Sequence, residues 1–198
     1  FREPQEKALA FEMSRSGNYD LLTDFSIPAR WKMDVDPRSA LYTKFVLKGF
    51  KKGILELEDF NQRLRGDTLE ICSEGFGKFI SPTPEDTAEE PFIQCNDRRI
   101  IKAVEKIIGN EKDTLEMLLK INEYLYCNIK KEYQASLPSA LDVLSKKRGD
   151  CNEHTILFVA MARSMQIPAR INVGLVYQDG KFAYHAWSQA WVNGRWYL

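Results

Sequence analysis

The chain contains no apolar run long enough to cross a membrane and no leader-like succession of basic, apolar and small residues. No membrane-spanning segment is therefore expected. It begins with Phe1 rather than methionine, as a processed or engineered start does, so the compartment stays open. Neither sign of charge prevails, with 28 Lys and Arg against 28 Asp and Glu, which argues against the basic surface that nucleic acid requires. Nucleic acid is not an expected partner. Four cysteines, Cys72, Cys95, Cys127 and Cys151, stand far apart, without the close pair that zinc sites use. No acidic loop has calcium-ligand spacing. Neither a metal nor another cofactor is expected, and no internal repeat or low-complexity tract points to a scaffold. Oligomeric state cannot be read from these residues.

What is present centres on Arg148-Gly149-Asp150-Cys151-Asn152-Glu153-His154, followed by an apolar run to Met165 and by Gln166-Ile167-Pro168-Ala169-Arg170. Asp150 with Glu153 three residues on reads as a capping box, which sets Cys151 in the first turn of a helix. Unpaired N–H groups and the positive end of the helix dipole favour a thiolate there. Every residue from Ile156 to Ala162 is apolar, so the helix is expected to be buried on most sides, and Pro168 is expected to stop it.

Downstream, Gln178-Asp179-Gly180-Lys181 is a turn signal between two strand-like runs, Ala169 to Tyr177 and Phe182 to Val192. Alternation places Ala183, His185, Trp187, Gln189 and Trp191 on one face. A helix presenting a thiol beside a sheet presenting an imidazole is what a thiol nucleophile and its base require. Cys151 and His185 are the candidate pair. His154, one turn from Cys151, is read as either structural or supporting. Tyr133 and Gln134 are candidates for the oxyanion hole and the substrate site, with the Cys151 backbone N–H as the other donor. Trp187, with Trp191 and Trp196, could line a cleft or simply fill the core.

Gly149-Asp150-Cys151-Asn152-Glu153-His154, Met161-Ala162-Arg163, Ile167-Pro168-Ala169-Arg170, Tyr184-His185-Ala186-Trp187 and Trp191-Val192-Asn193-Gly194-Arg195-Trp196 occur in this order. Together they resemble the transglutaminase-like superfamily, in particular its bacterial branch of thiol-protease-like members. The resemblance covers about the last third of the chain. It implies a papain-like Cys, His and Asp triad with Cys151 as nucleophile and His185 as base. In that family the aspartate sits on the strand after the His strand. A two-residue turn at Asn193-Gly194 would pair Val192 with Arg195 and set the partner of His185 near position 202, roughly four residues past Leu198. The expectation is a fragment of a larger enzyme, weak or inactive alone. Gln189 stands where the family often has glutamate. Arg163 and Arg170 match family positions and are read as structural, paired with carboxylates such as Asp150 or Glu153.

Upstream, Glu6 to Arg15 suggests a short helix, Leu41 to Leu47, Ile54 to Leu57 and Phe76 to Ile80 suggest strands, and Arg63 to Cys72, with Gly66-Asp67 inside it, suggests a hairpin or a bent strand. Residues 1–92 are thus expected to form a β-rich N-terminal region, separated near the proline-rich, acidic stretch Ser81 to Pro91 from a core over residues 93–198. In that core Asp97, Asp113 with Glu116, and Ser139 with Asp142 announce three helices before the Cys151 helix. Helices followed by a hairpin describe an α+β fold, a helix bundle with the nucleophile helix packed on an antiparallel sheet. The expected chemistry is thiol-dependent acyl transfer on carboxamides of a protein or peptide substrate through a thioester. Hydrolysis by a cysteine protease or amidase is the first form considered, and cross-linking by a transglutaminase the second. A non-catalytic peptide-binding module of the same fold is the rival from another class.

Overall fold

A computed structural model of the chain describes residues 26–30, 32–33, 39–49, 57–77, 79–132 and 138–197. They fall into two compact units, one within Ala29–Ser81 and one that combines the described residues up to Pro28 with those from Pro82 onward, so residues 82–92 group with the core and not with the region before them. The expected helix over 6–15 and strand over 54–57 lie outside the described residues, apart from Leu57.

The unit within residues 29–81 carries an antiparallel sheet of β2 (Tyr42–Val46), β4 (Thr68–Cys72) and β3 (Gln62–Arg65), with β4 in the centre. Gly66, at φ 62°, and Asp67 turn β3 into β4, as their composition predicts. Glu70 on the central strand is buried and paired with Lys44, Arg63 and Arg65, so its charge is met on the sheet itself. The strand expected over Phe76 to Ile80 is not found among the described residues of that stretch. Phe76 instead turns back, its N–H bonded to the Phe60 carbonyl at 2.7 Å.

The second unit is α+β. Its helices are α1 (Arg98–Ile108), α2 (Thr114–Asn128), α3 (Ala140–Lys146) and α4 (Cys151–Ser164), and each starts at an acidic or hydroxyl cap read from the sequence. The side chains of Asp97, Asp113, Ser139 and Asp150 all accept from backbone N–H groups two or three residues on, which fixes where each helix begins. Helix α4 is the centre. Leu157, Val159, Ala160, Met161 and Ala162 are fully enclosed, and α1, α2, α3 and the sheet pack round them.

That helix stops at Ser164, before Pro168 can act. Gln166 takes φ 60° and donates to Arg163, while the Ile167 N–H returns to the Ala162 carbonyl at 3.2 Å. The two bonds form a Schellman ending, with glutamine where glycine is usual.

The sheet is antiparallel. Its strands are β7 (Ala169–Gln178), β8 (Lys181–Val192), β9 (Arg195–Tyr197) and the short β1 (Ile27–Pro28). β7 covers one edge of β8 along its length. On the other edge β1 pairs only with Lys181 and Phe182, and β9 only with Ala190, Trp191 and Val192. Between these two the edge of β8 is left without a described strand. Asp179-Gly180 and Asn193-Gly194 make the two hairpin turns, all four residues at positive φ, and Val192 faces Arg195 as expected. The parallel pair β5 (Lys130–Lys131) and β6 (Arg148–Gly149) brings the end of α2 beside the start of α4.

Candidate active site

Asp150 organises the mouth of α4. Its carboxylate accepts from the N–H groups of Asn152, at 2.8 Å, and Glu153, and its carbonyl accepts from the His154 N–H at 3.1 Å. Three of the four amides that open the helix are thus occupied. The fourth, the Cys151 N–H, points towards its own sulfur. Glu153 returns to the Asp150 N–H at 2.7 Å and closes the box. Gly149 makes room for this: a β-carbon there would stand 2.1 Å from that of Glu153.

The Cys151 thiol is half-buried and meets the backbone N–H of Ala186, the residue after His185. An N–H of a strand lies in the sheet plane, so this one points to the edge of β8 that β7 does not cover. The sulfur therefore sits in the gap between β1 and β9. Sequence reasoning expected a thiolate favoured by the helix terminus, and here the structure corrects it. Burial pushes the thiol up to about 11, the Ala186 N–H and the cysteine's own N–H act against this, and the Asp150 and Glu153 charges add to it. A base is needed to ionise this sulfur near neutral pH.

His185 lies on β8 opposite Gly174, its ring near parallel to that of Trp187 at 21° and 6.3 Å between centroids. Trp187 leans over Gly174, where a β-carbon would meet the indole at 2.8 Å. Tyr133 and Gln134 lie outside the described residues. Trp191 and Trp196 meet edge to face at 5.3 Å, and the Arg170 guanidinium stacks on Trp196, so this pair is packed together.

Both arginines are structural, with partners other than those expected. Arg170 donates to Gln189 Oε1 at 2.9 Å, which gives the glutamine a role at the position where glutamate was the expected residue. Arg163 is buried and donates to the Ala169 and Ala88 carbonyls, each at 2.8 Å, and to Glu90 Oε1 at 2.6 Å. Residues 88–90 are thereby fastened to the helical core, although most of the stretch from Ser81 to Pro91 is exposed.

His154 serves the fold. It is buried, Nδ1 lies 2.7 Å from the Asp150 carbonyl, and the Ile129 carbonyl faces the ring without closing a hydrogen bond to Nε2. Burial holds its pKa down, so the ring is neutral and joins the end of α2 to the start of α4.

Glu153 is fully buried, and its pKa rises to about 7, first through burial and then through the Asp150 carboxyl beside it. A carboxyl that holds its proton more tightly in the folded state makes folding less favourable as pH climbs from the unfolded value of 4.5 to about 7, and no further above that. His154 works in the opposite sense, since a neutral buried ring gains as pH rises. The difference between wild type and Glu153→Gln isolates the carboxyl. Urea midpoints should show the variant gaining on wild type from pH 5 to pH 7, and parallel curves would refute the assignment.

Residues that sequence reasoning missed are Asn152, whose Oδ1 accepts from the Tyr184 hydroxyl at 3.0 Å, and Ala186, which acts through its backbone. Both stand inside the motifs already singled out, but only the fold reveals the contacts. Among the described residues no helix is long and apolar enough to cross a membrane, and no three His, Cys, Asp or Glu side chains gather as a metal site.

The family profile of the transglutaminase-like superfamily matches residues 101–198. Among solved structures, a candidate cysteine protease from Cytophaga hutchinsonii is similar over 57% of this chain and 39% of its own, with 23% identity and a TM-score of 0.52. The chain thus spans less than half of that relative. The periplasmic domain of TgpA from Pseudomonas aeruginosa is similar over 80% of this chain and 61% of its own, at 12% identity and a TM-score of 0.47. No curated protein sequence matches the chain.

Proposed function

Because residues 101–198 belong to the transglutaminase-like superfamily, we propose that they carry a thiol-dependent acyl-transfer site for carboxamides, with Cys151 as nucleophile and His185 as its base. The observation that carries this reading is the position of the sulfur, at the head of α4 and against the backbone of the residue next to His185. A half-buried thiol in a gap of the sheet edge is placed for a carbonyl to approach it.

In the proposed reaction the imidazole takes the thiol proton and the sulfur attacks the carbonyl carbon. The amine leaves with that proton, and a thioester remains on Cys151. Water then releases the acid, or a second amine takes the acyl group. The Cys151 N–H, free of other acceptors among the described residues, is the first donor to the oxyanion. Trp187 would form a wall of the acyl site. A longer chain that continued β9 in its present register would set position 202 opposite His185.

Hydrolysis is preferred to cross-linking, since the similar structure from Cytophaga hutchinsonii is described as a candidate protease. The test is a glutamine-containing peptide with and without a fluorescent primary amine, followed by mass spectrometry. Deamidated or cleaved peptide that Cys151→Ala no longer produces supports hydrolysis. Incorporated amine would replace hydrolysis by cross-linking. The same products from both proteins would leave a binding module as the better reading.

A further inference from the structure

An oxyanion hole needs at least two donors converging on one point, and the mouth of α4 offers few. The Asn152 and Glu153 N–H groups are held by the Asp150 carboxylate and the His154 N–H by the Asp150 carbonyl. The Ala186 N–H meets the sulfur itself. Among the described residues that leaves the Cys151 amide, which faces the sulfur as the Ala186 N–H does but stands at the head of α4, and one donor does not make a hole.

The side chain of Asn152 is the next polar group. Its Oδ1 accepts from the Tyr184 hydroxyl at 3.0 Å, which orients the carboxamide and turns the Nδ2 hydrogens to the other side. Nδ2 has no acceptor among the described residues and is not sealed from solvent. Tyr184 immediately precedes His185 on β8, and its phenol is close enough to the sulfur to be shifted upward by burial and then by Cys151 and Asp150. The clamp between helix and strand thus stands beside the nucleophile.

We propose that the Asn152 carboxamide, held through Oδ1 by the Tyr184 hydroxyl, is the second donor of the oxyanion hole beside the Cys151 N–H. This rests on the acyl-transfer reading above. Asn152 would touch the reacting oxygen, and Tyr184 is a positioning residue that acts through it.

Two reactions of the same thiol separate this role from a structural one. p-Nitrophenyl acetate acylates the sulfur: the S–H proton passes to a base, the S–C bond forms through a tetrahedral oxyanion, and the C–O bond breaks to release p-nitrophenolate. Iodoacetamide alkylates it by displacing iodide, with no oxyanion on the way. In Asn152→Ala, acylation of Cys151 should fall by roughly 100-fold, while alkylation stays within about twofold; Tyr184→Phe, which loses only the clamp, should fall by about tenfold in acylation alone. The unchanged alkylation rate also reports that the variants are folded. If both rates fall together, Asn152 tunes the thiol and the proposal is overturned, as it is if neither changes. If wild type is acylated no faster than Cys151→Ala, the acyl-transfer reading fails as well, which is a different result from a Cys151-dependent burst that ignores Asn152.

Discussion

Replacement of His185 by alanine is expected to slow alkylation of Cys151 by iodoacetamide at pH 7 about 100-fold, and acyl transfer by roughly a thousandfold or more. The reasoning starts from the thiol, which its surroundings push up to about 11. At pH 7 such a thiol is ionised to about one part in ten thousand, whereas a thiolate paired with an imidazolium is populated near neutrality. A less basic thiolate is a weaker nucleophile, and over four pH units that returns about a hundredfold, which leaves the net loss stated. Acyl transfer loses more, because the imidazole also passes its proton to the leaving group. The pH profile carries the sharper signature. In His185→Ala labelling should keep climbing about tenfold per pH unit well above neutrality, while wild type levels off earlier.

The other cysteines serve as internal standards in the same digest. Cys127 is exposed on α2, and Cys95 is buried with its thiol pushed up by burial and then by Glu89. With its base in place Cys151 overtakes Cys127, and without it Cys151 falls to the pace of Cys95. Superimposable profiles for wild type and His185→Ala would remove His185 from the mechanism.

The parts of the molecule that were legible in the sequence are those decided within a few residues. Asp97, Asp113, Ser139 and Asp150 each cap a helix through a bond to an amide two or three residues on, and Asp179-Gly180 and Asn193-Gly194 reverse the chain at positive φ. Such bonds need no knowledge of the rest of the fold. Phe76 to Ile80 failed as a strand for the same reason in reverse: an apolar run becomes a strand only where another strand is there to pair with it. The direction in which the Cys151 thiol shifts was missed because a helix terminus can be read locally, while the burial that pushes the thiol up cannot. The Asn152 and Tyr184 contact spans 32 positions and was equally hidden. Of the candidate site, the residue types were visible, and the order in which their environments rank them was not.

Arg163 shows how much a long-range contact can decide, and Arg163→Met is expected to cost about 3 kcal/mol of stability. The guanidinium ties α4 to two other segments through three acceptors. It bonds the Ala169 carbonyl at the start of β7, the Ala88 carbonyl, and Glu90 from the segment before α1. Methionine keeps much of the volume and removes every donor, so two backbone carbonyls lose their partner, at about 1–3 kcal/mol each when buried. The ion pair contributes far less, since half of the Glu90 side chain is in solvent. Glu90→Gln should therefore cost under about 1 kcal/mol. Lysine is no substitute either, because one ammonium cannot reach three acceptors set around a planar fork. Urea unfolding of the three variants, Arg163→Met, Arg163→Lys and Glu90→Gln, separates these contributions, and on a chain of this size a loss of about 3 kcal/mol should lower the melting temperature by roughly 10 °C. Limited proteolysis adds location: cleavage within residues 84–92 should appear first in the two arginine variants, because those residues are fastened to α4 through this side chain. If Glu90→Gln proves as costly as Arg163→Met, the ion pair rather than the carbonyls holds the segment, and the ranking of the three bonds must be reversed.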